Sequence, residues 1–77
     1  MNARTRKQLE NIVSQLKSLQ EQLQEIADNE HEKYDNMSEG FQSSEKGEAI
    51  MAAGDDIESC ADDLANILDT IEDVISR

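Results

Sequence analysis

His31 is the only imidazole in the chain, and Asp28 stands three positions before it. Carboxylate-bridged metal bundles use this acid-x-x-His spacing, with both groups pointing inward between helices. Traced through Leu23, Ile26 and Glu30, the apolar seam of this segment leaves His31 one position outside, so a solvated imidazole and no metal are expected. Glu21, Glu25, Glu58 and Asp62 are spaced like the acids that hold Mg²⁺ in an all-helical nucleotide pyrophosphatase. That chemistry needs carboxylates converging on a cavity, with basic groups for the phosphates. Here the acids fall mostly on outer faces and the basic groups lie at a distant tip. Gly54-Asp55-Asp56 lacks the alternating acids and central glycine of a calcium loop. Cys60 lies between Ile57 and Leu64 on an apolar stripe, with no cation nearby in sequence to activate it, and reads as a small core residue. These residue types point to no reaction, and a protein without catalysis or cofactor is expected.

Charge is the stronger signal. Residues 1–17 carry Arg4, Arg6, Lys7 and Lys17 against Glu10, or +3. Residues 18–76 carry 17 acids against Lys33 and Lys46, or −15, and Arg77 brings the net to −11. Such a chain repels nucleic acid and anionic membranes and attracts basic proteins. Eight acids, Asp55, Asp56, Glu58, Asp62, Asp63, Asp69, Glu72 and Asp73, fall on one polar face. Six are Asp, although Glu is the better helix former. Over a helix they come about one per 3.5 Å, near the ~3.4 Å axial charge spacing of a DNA strand. They are the candidate partner-binding residues.

Long helices must position them. Ile50, Ile57, Leu64 and Ile71 recur every seven residues, accompanied by the rows Ala53, Cys60, Ile67 and Gly54, Ala61, Leu68. This makes a three-wide apolar stripe on a helix expected over about 45–76. Leu9, Ile12, Leu16, Leu19, Leu23 and Ile26 alternate by three and four, which predicts a coiled-coil seam on a first helix, about 3–36, flanked by Val13, Ala27 and Tyr34. Asn2 is placed to cap it. Between them, residues 37–44 form a loop in which Gly40 suits a left-handed helix end, Ser43 or Ser44 caps the second helix, and Met37 and Phe41 can plug the bundle.

The fold class is therefore all-α, a single domain over 1–77 built as a long antiparallel helical hairpin, coiled-coil-like, that dimerises into a four-helix bundle. Dimerisation is expected because 77 residues with two aromatics and one cysteine stabilise a core poorly alone. The predicted dimer interface is Ile50, Ala53, Gly54, Ile57, Cys60, Ala61, Leu64, Ile67, Leu68 and Ile71. The antiparallel fold brings Arg77 to Arg4, Arg6 and Lys7 as a basic tip. No membrane span or signal segment is read, and a cytoplasmic protein is expected.

The segment Tyr34-Asp35-Asn36-Met37-Ser38-Glu39-Gly40-Phe41-Gln42-Ser43-Ser44-Glu45-Lys46-Gly47-Glu48 resembles one found in small acidic helical-hairpin proteins of phages and prophages. Their pattern is an aromatic-Asp-Asn-Met-Pro-Glu turn followed by Leu-Gln and Ser-Glu. Ser38 here replaces the Pro, and Phe41 the Leu. The resemblance implies a mobile-element protein acting on a host or rival system, and no particular activity. Together these features predict an inhibitor that occupies the basic surface of a nucleic-acid-binding protein, an anti-defence type of nucleic-acid mimic. Its partner is a protein surface, and direct nucleic-acid binding is not expected. The alternatives are an assembly module acting through dimerisation and a sponge for small nucleotides at the basic tip.

Overall fold

The computed structural model describes all 77 residues and contains three helices: α1, Ala3–Asp35; α2, Glu39–Gln42; and α3, Glu45–Ile75. The two long helices pack antiparallel into a rod of 58 × 15 × 13 Å. No helix is long and apolar enough to cross a membrane.

The helix starts follow side-chain chemistry. Asn2 Oδ1 accepts the Thr5 N–H at 2.8 Å, and Ser44 Oγ accepts the Gly47 N–H at 3.2 Å. Each satisfies a backbone donor that a helix start leaves without a partner. Glu45 and Glu48 in the first turn of α3 complement its dipole, as Lys33 does at the end of α1. Between the long helices the expected loop contains the single turn of α2. Gly40 lies inside that turn, and no glycine has a positive φ, so the expected left-handed helix end is absent. α1 ends instead at Asn36 in right-handed geometry, its N–H donating to the Glu32 carbonyl and the Met37 N–H to that of Tyr34. Gln42 Nε2 donates to the Tyr34 carbonyl at 3.0 Å and ties the turn to α1. Met37 is half-buried, but Phe41 is 66% exposed and plugs nothing.

The seam of α1 differs from the expected one by a rotation. Its inner rows are Leu9, Leu16, Leu23, Glu30 and Val13, Gln20, Ala27, Tyr34. Ile12, Leu19 and Ile26 stand 44%, 50% and 47% exposed. The reason lies in α3, whose central row is Gly47, Gly54, Ala61 and Leu68, all buried. Small residues let the backbones approach, and Ala27 and Ala61 are fully buried where they do so. Dispersion falls off steeply with separation, so the close pairing through Ala27 and Ala61 is favoured over one propped open by Ile12, Leu19 and Ile26.

Candidate functional site

The rotation gives the rod two unlike long flanks. In an antiparallel pair, the positions just after the seam on one helix face those just after it on the other. The positions just before the seam face one another in the same way. Following the seam are Lys17 and His31 on α1, with Glu58 and Glu72 on α3. Lys17 Nζ meets Glu72 Oε1 at 3.0 Å, and His31 Nε2 lies 3.0 Å from Asp55 Oδ1. This is the charged flank. Preceding the seam are Ile12, Leu19 and Ile26 on α1, with Ala53, Cys60, Ile67 and Val74 on α3. The ion pairs fix a register that sets Ile12 level with Val74, Leu19 with Ile67, and Ile26 with Cys60. This is an apolar flank, with Ile67 49% exposed.

Two expectations change as a result. His31 is half-buried rather than solvated. It follows Glu30, which belongs to the true seam, and its ring sits over Gly54. A Cβ at Gly54 would come within 2.7 Å of His31 Cδ2. Cys60 is exposed rather than buried, because its row lies outside the seam.

The predicted dimer interface divides along the same line. Gly54, Ala61 and Leu68 are buried within the chain, and Ile50, Ile57, Leu64 and Ile71 are half-buried on the seam. These seven residues make the hairpin itself. Ala53, Cys60 and Ile67 remain uncovered. They are joined on that flank by Ile12, Leu19 and Ile26, which the spacing alone places in the seam.

The acids of α3 occupy its back and charged flank. Asp55, Asp56, Asp62, Asp63, Asp69, Glu72 and Asp73 are exposed, and Glu58 is half-buried. Asp55, Glu72 and Asp73 meet His31, Lys17 and Arg77 respectively. Asp56, Asp62, Asp63 and Asp69 meet no cation. At the tip, Arg6 Nη2 donates to the Arg77 backbone oxygen at 2.8 Å, confirming that the chain folds back on itself. Arg77 turns its own guanidinium to Asp73 at 3.1 Å. Only Arg4 and Lys7 of the four tip cations are left without an internal partner, a poor cradle for a nucleotide.

Glu21 and Glu25 do not converge with Glu58 and Asp62. The one place where three potential ligand groups meet is His31, Asp55 and Glu58, with ligating atoms within 4.8 Å of one another. Sequence reasoning missed it through the rotation of α1; the signal was the glycine at position 54, which opens room for a ring on the facing helix. No protein-family model, curated protein or solved structure matches the chain.

Proposed function

We propose that this protein is a non-enzymatic homodimer that presents the acidic back of α3 to the basic surface of a nucleic-acid-binding protein and blocks it by charge mimicry. The observation that carries this reading is the uncompensated state of Asp56, Asp62, Asp63 and Asp69, which stand exposed with no cation at ion-pair distance. Packing does not account for four aspartates on an outer surface, and Glu would serve solubility with better helix propensity. The phage-like turn segment makes a host or defence protein the target class.

Reversing Asp62 and Asp63 to Lys leaves the helical content unchanged, since both are solvated. It weakens binding to a basic target at least several-fold, mainly through slower association, and leaves the remaining affinity less salt-dependent. Titration of both proteins at two ionic strengths, against a target captured from host lysate in a salt-sensitive manner, checks this. Equal affinity of the double reversal would overturn the mimicry.

The dimer rests on surface area. The chain exposes 5546 Å², whereas a compact monomer of 8.6 kDa exposes about 4700 Å². The difference, about 850 Å², is close to the ~800 Å² that each partner contributes to a stable interface. One long side of a 58 by 15 Å rod has about that area in plan. The apolar flank is bordered on α1 by Gln8, Gln15, Gln22 and Asn29, which carry no charge. A two-fold arrangement that lays α1 on α3 of the other copy sets these amides near Asp56 and Asp63 and avoids acid against acid. The result is a four-helix bundle with the charged flanks outermost.

Cys60 reports on this directly. A thiol reagent modifies it slowly at concentrations where the dimer persists, and at least tenfold faster once dilution separates the copies. Equal rates at all concentrations would exclude this face as the interface. No cation or imidazole lies within two helical turns of the thiol on its own helix, so Cys60→Ser preserves target binding.

The uncovered apolar flank also favours the second reading, an assembly module that bridges partners through dimerisation. In that case Asp62 and Asp63 are dispensable and Leu19 and Ile67 are not.

A further inference from the structure

The geometry points to a divalent transition-metal site at His31, Asp55 and Glu58, on the charged flank of the hairpin. Asp55 and Glu58 lie one turn apart on α3, and His31 reaches them from α1 across the space left by Gly54. Its Nε2 is 3.0 Å from Asp55 Oδ1, and the ligating atoms of all three residues lie within 4.8 Å of one another. Two ligands bound to one ion at about 2.0–2.2 Å stand roughly 3–3.5 Å apart. The His31–Asp55 separation already falls in that range, and a small rotation of the flexible Glu58 side chain brings in the third.

Charge balance supports the same assignment. Glu58 is half-buried and has neither an ion pair nor a hydrogen bond. Even a protonated His31 facing Asp55 and Glu58 leaves one negative charge uncompensated. A divalent ion held by a neutral imidazole and two carboxylates leaves none. Neighbouring groups are otherwise engaged: Glu30 with Lys33 at 2.7 Å, and Asp28 with Gln24 at 3.0 Å. One nitrogen and two carboxylate ligands suit zinc and its neighbours in the first transition row more than Mg²⁺ or Ca²⁺, which take oxygen alone. Water completes the coordination. The site clamps α1 to α3 and lies on the opposite flank from the proposed dimer face, so the two can be tested separately.

The test is calorimetric titration of the full chain with Zn²⁺, alongside NMR of the single histidine ring. One ion binds per chain, the His31 ring signals shift in proportion, and saturating Zn²⁺ raises the melting temperature by roughly 10 °C. Affinity falls at least tenfold in His31→Ala and in Glu58→Gln. It is unchanged in the Asp62→Asn, Asp63→Asn double variant, and excess Mg²⁺ does not displace the ion. Glu58→Gln keeps the His31–Asp55 pair, so it decides the matter should His31→Ala lose helical structure. Absence of stoichiometric binding, an unaltered isotherm in Glu58→Gln, or ready displacement by Mg²⁺ would each reduce the site to diffuse counterion attraction and overturn the assignment.

Discussion

On the proposed dimer, Leu19→Glu yields a monomer of 8.6 kDa that keeps its helical content, where the unaltered chain runs at twice that mass. Leu19 is 50% exposed on the hairpin, so the intrachain seam does not depend on it. Leu and Glu are both good helix formers, and α1 tolerates the exchange. In the proposed dimer the same side chain faces the other copy, near the middle of the apolar flank. Losing the burial of one leucine costs about 2 kcal/mol, and two-fold symmetry applies the change twice. The dissociation constant therefore rises by roughly a thousandfold, before any cost of bringing a carboxylate into a dry contact. Light scattering behind a sizing column, with circular dichroism on the same fractions, checks the result. A variant still running at twice the chain mass would remove this flank from the interface, and a wild-type chain that is monomeric throughout would remove the dimer.

Gly47→Ala lowers the melting temperature by roughly 10 °C, against the direction that helix propensity alone predicts. Alanine inside a helix gains about 1 kcal/mol over glycine. At position 47, however, a Cβ would collide with the Phe41 and Gln42 carbonyls and come 2.9 Å from Gln42 Cα. These are backbone atoms of α2 and its exit, so no side-chain rotation relieves the contact. The turn must move away from α3, which strains the Gln42–Tyr34 tie. Overpacking of this kind costs about 1–3 kcal/mol when neighbours can adjust and more when they are main chain. Each net kcal/mol moves the midpoint of so small a domain by about 4–8 °C. Gly40→Ala is the control. Nothing lies within 4 Å of its Cβ, and this substitution is neutral or slightly stabilising. If Gly47→Ala matches it, the close approach of α2 to α3 is not a constraint on the fold.

The hairpin was legible because periodicity and caps are local. The three-four spacing of Ile50 to Ile71, the Asn2 and Ser44 caps and the polar break at 37–44 each operate within a turn or two. Which row of α1 turns inward is not local. Hydrophobicity ranks Ile12, Leu19 and Ile26 above Gln20 and Ala27, and that ranking selects the wrong row. The choice is made by Gly54 and Ala61 on the facing helix, which reward close approach, and only pairing brings Gly54 against Glu30 and His31 and Ala61 to the level of Ala27. One rotation therefore explains two misplaced residues, His31 inward and Cys60 outward, and with them the hidden three-residue cluster. The acidic rows of α3 needed no such information, since any register with Ile57 and Leu64 inside leaves Asp55, Asp62 and Asp63 outside.

The return of Arg77 to Arg6 also determines how the rod gives way under load. The ties between its helices join residues 8 apart at Gln42–Tyr34, 24 apart at His31–Asp55, 55 apart at Lys17–Glu72 and 71 apart at Arg6–Arg77. They form a ladder in which each rung encloses the one before it. Tension applied at the two chain ends falls on the outermost rung alone, because the ends emerge side by side. That rung opens, the next receives the load, and the helices peel apart turn by turn from the tip toward α2. Shear along the rod would instead load every rung at once. Refolding runs the other way, since each closed rung shortens the loop that the next must close. The same rod is thus a zipper when pulled from its ends and a strut when compressed along its length.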